Sequence, residues 1–206
     1  MRFHPRHAGP RVSERTLDAG DSVEAMSRPG ADAAERLAAL GVVPMAPGLS
    51  DDEVARIESS FAFTFADDHR EFLAACLPVG EGWPNWREAG RRTLETLLRL
   101  PVDGILFAVE WKQFWDASWG RRPARMKDAL RSAAYQLARV PRLVPVHSNC
   151  YLPAGHDSSG HPVLSIYQAD IHVVAADLFD YVDRLTTPAA EPSAVATVDF
   201  WSDHVR

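Results

Sequence analysis

Val163-Leu164-Ser165-Ile166-Tyr167-Gln168-Ala169-Asp170-Ile171-His172-Val173-Val174 reads as two short β-branched and aromatic runs hinged at Gln168-Ala169-Asp170. Such a pattern predicts an antiparallel hairpin. Upstream, Leu143-Val144-Pro145-Val146 and Cys150-Tyr151-Leu152 are two more strand-like runs, and Asp157-Ser158-Ser159-Gly160 is a turn. Before residue 141 the texture is helical. Leu49-Ser50-Asp51-Asp52-Glu53-Val54 carries a capping box and a hydrophobic staple, followed by Ile57 and Phe61 at helical spacing. A helix from Asp67-Asp68 to just before Pro78 buries Phe72, Leu73, Cys76 and Leu77. A short helix spans 91–99. A longer one starts at Pro123, buries Met126, Leu130, Ala134 and Leu137, and stops before Pro141. A last helix, 176–186, presents Leu178, Phe179, Val182 and Leu185. Helices followed by antiparallel strands give the α+β class: N-terminal helices, then a mainly antiparallel sheet, in one domain over 31–186.

The flanks read differently. Residues 1–30 are rich in Gly, Pro and Arg without apolar periodicity and are expected to be a disordered tail. No apolar stretch follows their arginines, so they do not read as a secretory signal, and a cytoplasmic location is expected. Met26 is an alternative start. Residues 187–206 read as a second loose tail in which Phe200 and Trp201 can dock on the body.

The 206 residues carry 22 Lys+Arg against 28 Asp+Glu, a formal charge of −6. Residues 1–30 hold five Arg and four acids, or +1, which leaves −7 on the rest. That balance disfavours direct nucleic-acid binding, which calls for a basic face. Its apolar runs are too short for the ~20 residues of a membrane span. Of the 22 basic residues, 20 are Arg, which reads as the codon bias of a GC-rich bacterial genome.

Candidate chemistry is sparse. His147, Cys150, His156, His161 and His172 cluster in sequence, but one thiolate with this spacing matches no closed zinc module. Cys150 near His147 and His156 suggests a cysteine nucleophile, with Asp157 to orient a histidine, yet Cys150 opens a strand and no oxyanion nest is visible. Asp51-Asp52 and Asp67-Asp68 sit at helix starts, where capping explains them. Nucleotide-binding, zinc-protease and serine-hydrolase motifs are absent from the sequence. No catalytic, cofactor-binding or metal-ligating residue is assigned. Trp83, Trp86, Trp111, Phe114, Trp115 and Trp119 fall in one stretch, and most are expected in the core.

Taken in order, several segments resemble the bacterial branch of the SUKH superfamily, named for fungal cell-wall assembly regulators linked to glucan synthesis and killer-toxin resistance. The segments are Gly48-Leu49-Ser50, Phe65-Ala66-Asp67-Asp68-His69-Arg70-Glu71-Phe72-Leu73, Leu77-Pro78 and Pro84-Asn85-Trp86-Arg87. Gly104-Ile105-Leu106-Phe107, Phe114-Trp115, Trp119-Gly120-Arg121-Arg122-Pro123, Pro141–Val146, Tyr151-Leu152-Pro153, Pro162–Ile171 and Asp177–Tyr181 follow. Departures are Ala66 for a usual proline, Cys150 for Arg, His161 for Asn, and Val173–Ala176 for an aromatic and a glycine. The resemblance implies a non-enzymatic binding module: an immunity-type protein that neutralises a cognate polymorphic toxin, basic and nuclease-like if the acidic body steers it. A scaffold of the cell-wall regulator type is the alternative, and a His/Cys metal-dependent hydrolase a further one. Trp111, Trp115, Ser165, Tyr167 and Asp170 are the expected partner-binding residues, with Asp170 equally readable as a turn residue bonding its own backbone.

Overall fold

The computed structural model of the chain describes Met1, residues 28–187, Pro192 and residues 197–206. Most of the expected N-terminal tail lies outside the described residues. Its end does not: Pro29 and Gly30 open a helix, α1 (Pro29–Leu40), which sequence reasoning missed. Proline suits a first helical turn, and Gly41 closes the helix in the left-handed conformation, φ 62°. Gly30 is needed for close approach. A Cβ there would stand 1.9 Å from the Asp68 carbonyl oxygen of α3 (Asp67–Ala75), against which α1 lays Ala33, Ala34 and Leu37.

Between them, α2 (Asp51–Phe61) starts as expected. Ser50 Oγ accepts from Glu53 N at 3.3 Å, and Glu53 Oε2 accepts from Ser50 N at 2.9 Å. The helix expected to run to Pro78 stops at Ala75. Cys76-Leu77-Pro78 is instead a strand, β2, paired antiparallel with β1 (Met45–Pro47). Pro78 disfavours helical backbone at Leu77, and pairing with β1 takes over.

The helix expected over 91–99 extends through α4 (Arg91–Trp111), with Pro101 inside. Proline has no N–H for the Leu97 carbonyl one turn back. The hydroxyl of buried Tyr151 supplies a donor to Leu97 O at 3.4 Å. We expect Tyr151→Phe, which keeps the ring but leaves that carbonyl bare, to cost about 1 kcal/mol in denaturant unfolding. An unchanged midpoint would show that the carbonyl finds water instead.

Helix α5 (Met126–Leu137) begins three residues later than Pro123 suggests. Its buried stripe is Ala129, Ala133 and Leu137, so only Leu137 of the expected set is buried and Met126 is exposed. Small residues on this stripe let α5 approach α4 closely.

The four expected strands form one antiparallel meander: β3 (Leu143–His147), β4 (Cys150–Pro153), β5 (Val163–Tyr167) and β6 (Asp170–Ala175), in that order. The β5–β6 hairpin pairs Tyr167 with Asp170 and Ser165 with His172. Helix α6 (Leu178–Arg184) follows, its first turn capped by the Asp177 carboxylate, which accepts from Asp180 N at 2.8 Å. Phe179, expected on its buried face, is exposed. The fold is α+β.

Apolar clusters lie on both faces of the sheet, leaving Ser165, Tyr167, Asp170 and His172 at the hairpin end outside them. One joins Val144, Leu152 and Val163 to α1, α3 and α6, and the other joins Tyr151, Leu164 and Ile171 to α4 and the C-terminal segment. Burial on both faces explains why β3 and β4 read as unbroken apolar runs. The described part of 187–206 is therefore no loose tail. Val198 and Trp201 are buried, the Trp201 indole N–H donates to Pro141 O at 2.8 Å, and Arg206 N donates to Ile171 O at 3.0 Å. His204 Nε2 lies 2.8 Å from Asp116 Oδ2, tying this segment to the loop after α4. Among the described residues, no helix is long and apolar enough to cross a membrane.

Candidate interaction surface

Leu100, Gly104, Phe107 and Trp111 follow one another at i, i+4, i+7 and i+11 along α4, the spacing of a single helical stripe. On a helix whose other face is already buried, such a stripe is normally polar. Here Leu100 is 46%, Phe107 43% and Trp111 68% exposed. The rings of Phe107 and Trp111 lie 6.4 Å apart.

The β5–β6 hairpin tip is seated on this stripe. A Cβ on Gly104 would come 2.8 Å from Gln168 Cα, so only glycine lets the turn backbone rest there. Gln168 itself sits at φ 59°, the positive φ of the first corner of a two-residue hairpin turn. The contact brings Tyr167, 67% exposed, to the rim of a groove of about 440 Å³ that Leu100 and Phe107 wall and Tyr151 and Ile166 floor. Trp111 borders a second concavity of about 590 Å³ with Gln113, Arg122 and Met126. Large exposed apolar side chains from two elements thus form one band. A contiguous band, unlike scattered exposed residues, marks an interaction site.

Two of the expected partner-binding residues, Trp111 and Tyr167, lie in this band. Phe107 and Leu100 complete it and escape sequence reasoning, because a helix ending at 99 hides their spacing. Trp115 lies elsewhere, in a half-buried cluster. Its indole N–H donates to Gly120 O at 2.7 Å, its ring meets Trp119 edge-on at 5.3 Å, and the Arg122 guanidinium stands 5.9 Å from its centroid. Of the other large aromatics in that stretch, Trp86 is buried and Trp83, Phe114 and Trp119 are half-buried.

Ser165 and Asp170 share the open face of the hairpin with Tyr167 and His172. Ser165 Oγ accepts from Asn149 Nδ2 at 2.7 Å. The Asp170 carboxylate faces His172 Nε2 at 3.3 Å and Arg206 Nη1 at 3.8 Å rather than its own turn. Ser165, His172 and Asp170 are the residue types of a hydrolytic triad. However, His172 Nδ1 lies 3.2 Å from Arg206 O, so neither ring nitrogen serves Ser165.

His147 and Cys150 pair directly across the β3–β4 turn. Burial pushes the Cys150 thiol above its ordinary range, against a weaker opposing bond from Tyr181. Burial likewise lowers the His147 imidazole, whose ring stacks on Trp83 at 4.6 Å and whose Nδ1 lies 2.8 Å from Tyr181 Oη. Both groups are driven toward neutrality, the reverse of the thiolate–imidazolium pair a nucleophile needs. His156 faces Asp67 at 3.8 Å, and His161 Nδ1 faces Thr197 Oγ1 at 2.9 Å. Among the described residues, no three His, Cys, Asp or Glu side chains are placed to hold one metal ion.

Compared with protein-family models, with curated proteins and with solved structures, the chain shows no significant match to any.

Proposed function

We propose that the chain is a non-enzymatic protein-binding module of the immunity type, acting in the cytoplasm by docking on a cognate toxin domain and blocking it. The observation that carries this reading is the exposed band of Leu100, Phe107, Trp111 and Tyr167. Aromatic side chains dominate binding energies because they bury much area with few torsions to freeze. The ordered resemblance to the SUKH superfamily supplies the biological role. The −7 carried by residues 31–206 favours encounter with a basic partner, such as a nuclease.

The test is co-expression with the product of an adjacent toxin-like reading frame, scoring survival and complex formation. Protection and a stoichiometric complex are expected. Trp111→Ala is expected to weaken the complex about 30-fold or more, the loss at a central aromatic anchor. Trp115→Ala, outside the band, serves as the contrast. Binding that survives Trp111→Ala and Tyr167→Ala together would remove the band from the interface.

A further inference from the structure

At the opposite end of α4, three arginines line a cavity of about 220 Å³ against α2: Arg56, Arg87 and Arg91. Its floor is apolar, built by Ile57, Trp86 and Leu94, all buried. Two of the guanidiniums are set in place by the fold. Arg87 grips Glu53 through Nε at 2.6 Å and Nη2 at 3.1 Å, and it also donates to the Pro47 and Gly48 carbonyls at 3.0 and 2.9 Å. Arg91 donates to Ser60 O at 3.3 Å and to Glu95 Oε1 at 2.7 Å.

These contacts also settle the charge of the cavity. Glu53, the acid in its lining, is claimed by Arg87, whose hydrogen bond is the main cause holding that carboxyl down to about 2. Glu95 offsets Arg91. Arg56 has no ion-pair or hydrogen-bond partner among the described residues, so its guanidinium is open to a ligand, while Glu53 and Glu88 both act on Arg87. α4 opens at the same rim behind Gly90, with no side-chain cap and no acid in its first turn, which adds the positive end of a 21-residue helix dipole.

We propose that this cavity binds a small organic anion, a carboxylate or phosphate carried on an apolar body, with Arg56 taking the charged group. A guanidinium suits either anion because its planar fork matches two oxygens at once. Phe61 and Ala89, half-buried in the lining, give an apolar body a surface to cover that a bare inorganic ion would leave open. The cavity is separate from the aromatic band, since α4 places Arg91 and Trp111 at opposite ends of a rod about 30 Å long.

The full chain is titrated with phenyl phosphate and with benzoate, and separately with inorganic phosphate and benzyl alcohol. Amide and indole NMR shifts are followed at Ser60, Trp86 and Ala89. At least one organic anion is expected to saturate these shifts about tenfold more tightly than inorganic phosphate or benzyl alcohol, and the tighter of the two identifies the charged group. Arg56→Gln is expected to weaken that binding about tenfold with an unchanged melting temperature, and Arg56→Lys to restore part of it. The proposal is overturned by an absence of saturable shifts at these residues, by inorganic phosphate binding equally well, or by Arg56→Gln binding as tightly as the parent.

Discussion

Replacing Trp201 with alanine is expected to cost about 3–5 kcal/mol of stability, the usual loss for a fully buried tryptophan. Trp201 is 1% exposed and sits in the cluster between the sheet and α4, with Ile105, Tyr151 and Ile171. Its removal opens a void that the surrounding backbone cannot close, and it strips the Pro141 carbonyl of its donor. For a domain of this size the loss corresponds to roughly 6–20 °C in Tm. Thermal unfolding followed by far-UV circular dichroism checks it. A shift below about 2 °C would falsify the assignment of residues 197–206 to the folded body.

Acidification is expected to weaken the protein well above the carboxylate range, through His69. This histidine in α3 is 1% exposed, meets Phe65 edge-on at 5.2 Å, and has no partner for Nδ1 among the described residues. Burial lowers its pKa from 6.5 to about 3. Because the folded value lies below the unfolded one, the full stability is present above pH 6.5. It is lost as pH falls toward 3, while the unfolded chain takes up a proton that the folded chain refuses. At 1.36 kcal/mol for each pH unit between the two values, the linkage amounts to about 2 kcal/mol by pH 5 and about 5 kcal/mol at the lower limit. His147, lowered by partial burial, acts in the same direction. Asp68, whose carboxyl is raised chiefly by burial, acts in the opposite one: its penalty sets in as pH rises above the ordinary carboxyl value and is complete above the raised one. Comparing urea midpoints at pH 7.5 and pH 5 for the parent and for His69→Leu isolates the histidine. The variant should lose most of the pH dependence, and an undiminished difference between the two pH values would rule His69 out as its source.

Legibility in the sequence follows how local each cause is. The Ser50 capping box and the four strands with their hairpin turns depend on residues within a few positions, and each appears where the pattern places it. What escapes depends on distant partners. Pro101 reads as a helix stop until Tyr151, far along the chain, supplies the missing donor. That Trp201 can dock on the body is legible, but its seat beneath Pro141 and the sheet is not. β1 and β2 are three residues each, too short for any period to show. The interaction band divides the same way. Trp111 and Tyr167 stand out as residue types, whereas Leu100 and Phe107 become visible once α4 runs through its proline. On α5 the buried stripe differs from the expected one because α4, through Val109, packs on the small side chains Ala129 and Ala133.

The contact between Gly104 and the Gln168 backbone also bears on how fast a partner binds. It fixes Tyr167 relative to Phe107 and Trp111 before any encounter, so the ordering entropy is met during folding rather than during association. Binding to such a surface needs no slow rearrangement. Its association rate constant belongs in the ordinary range of about 10⁵–10⁷ M⁻¹s⁻¹, and changes in the band register mainly as shorter residence times.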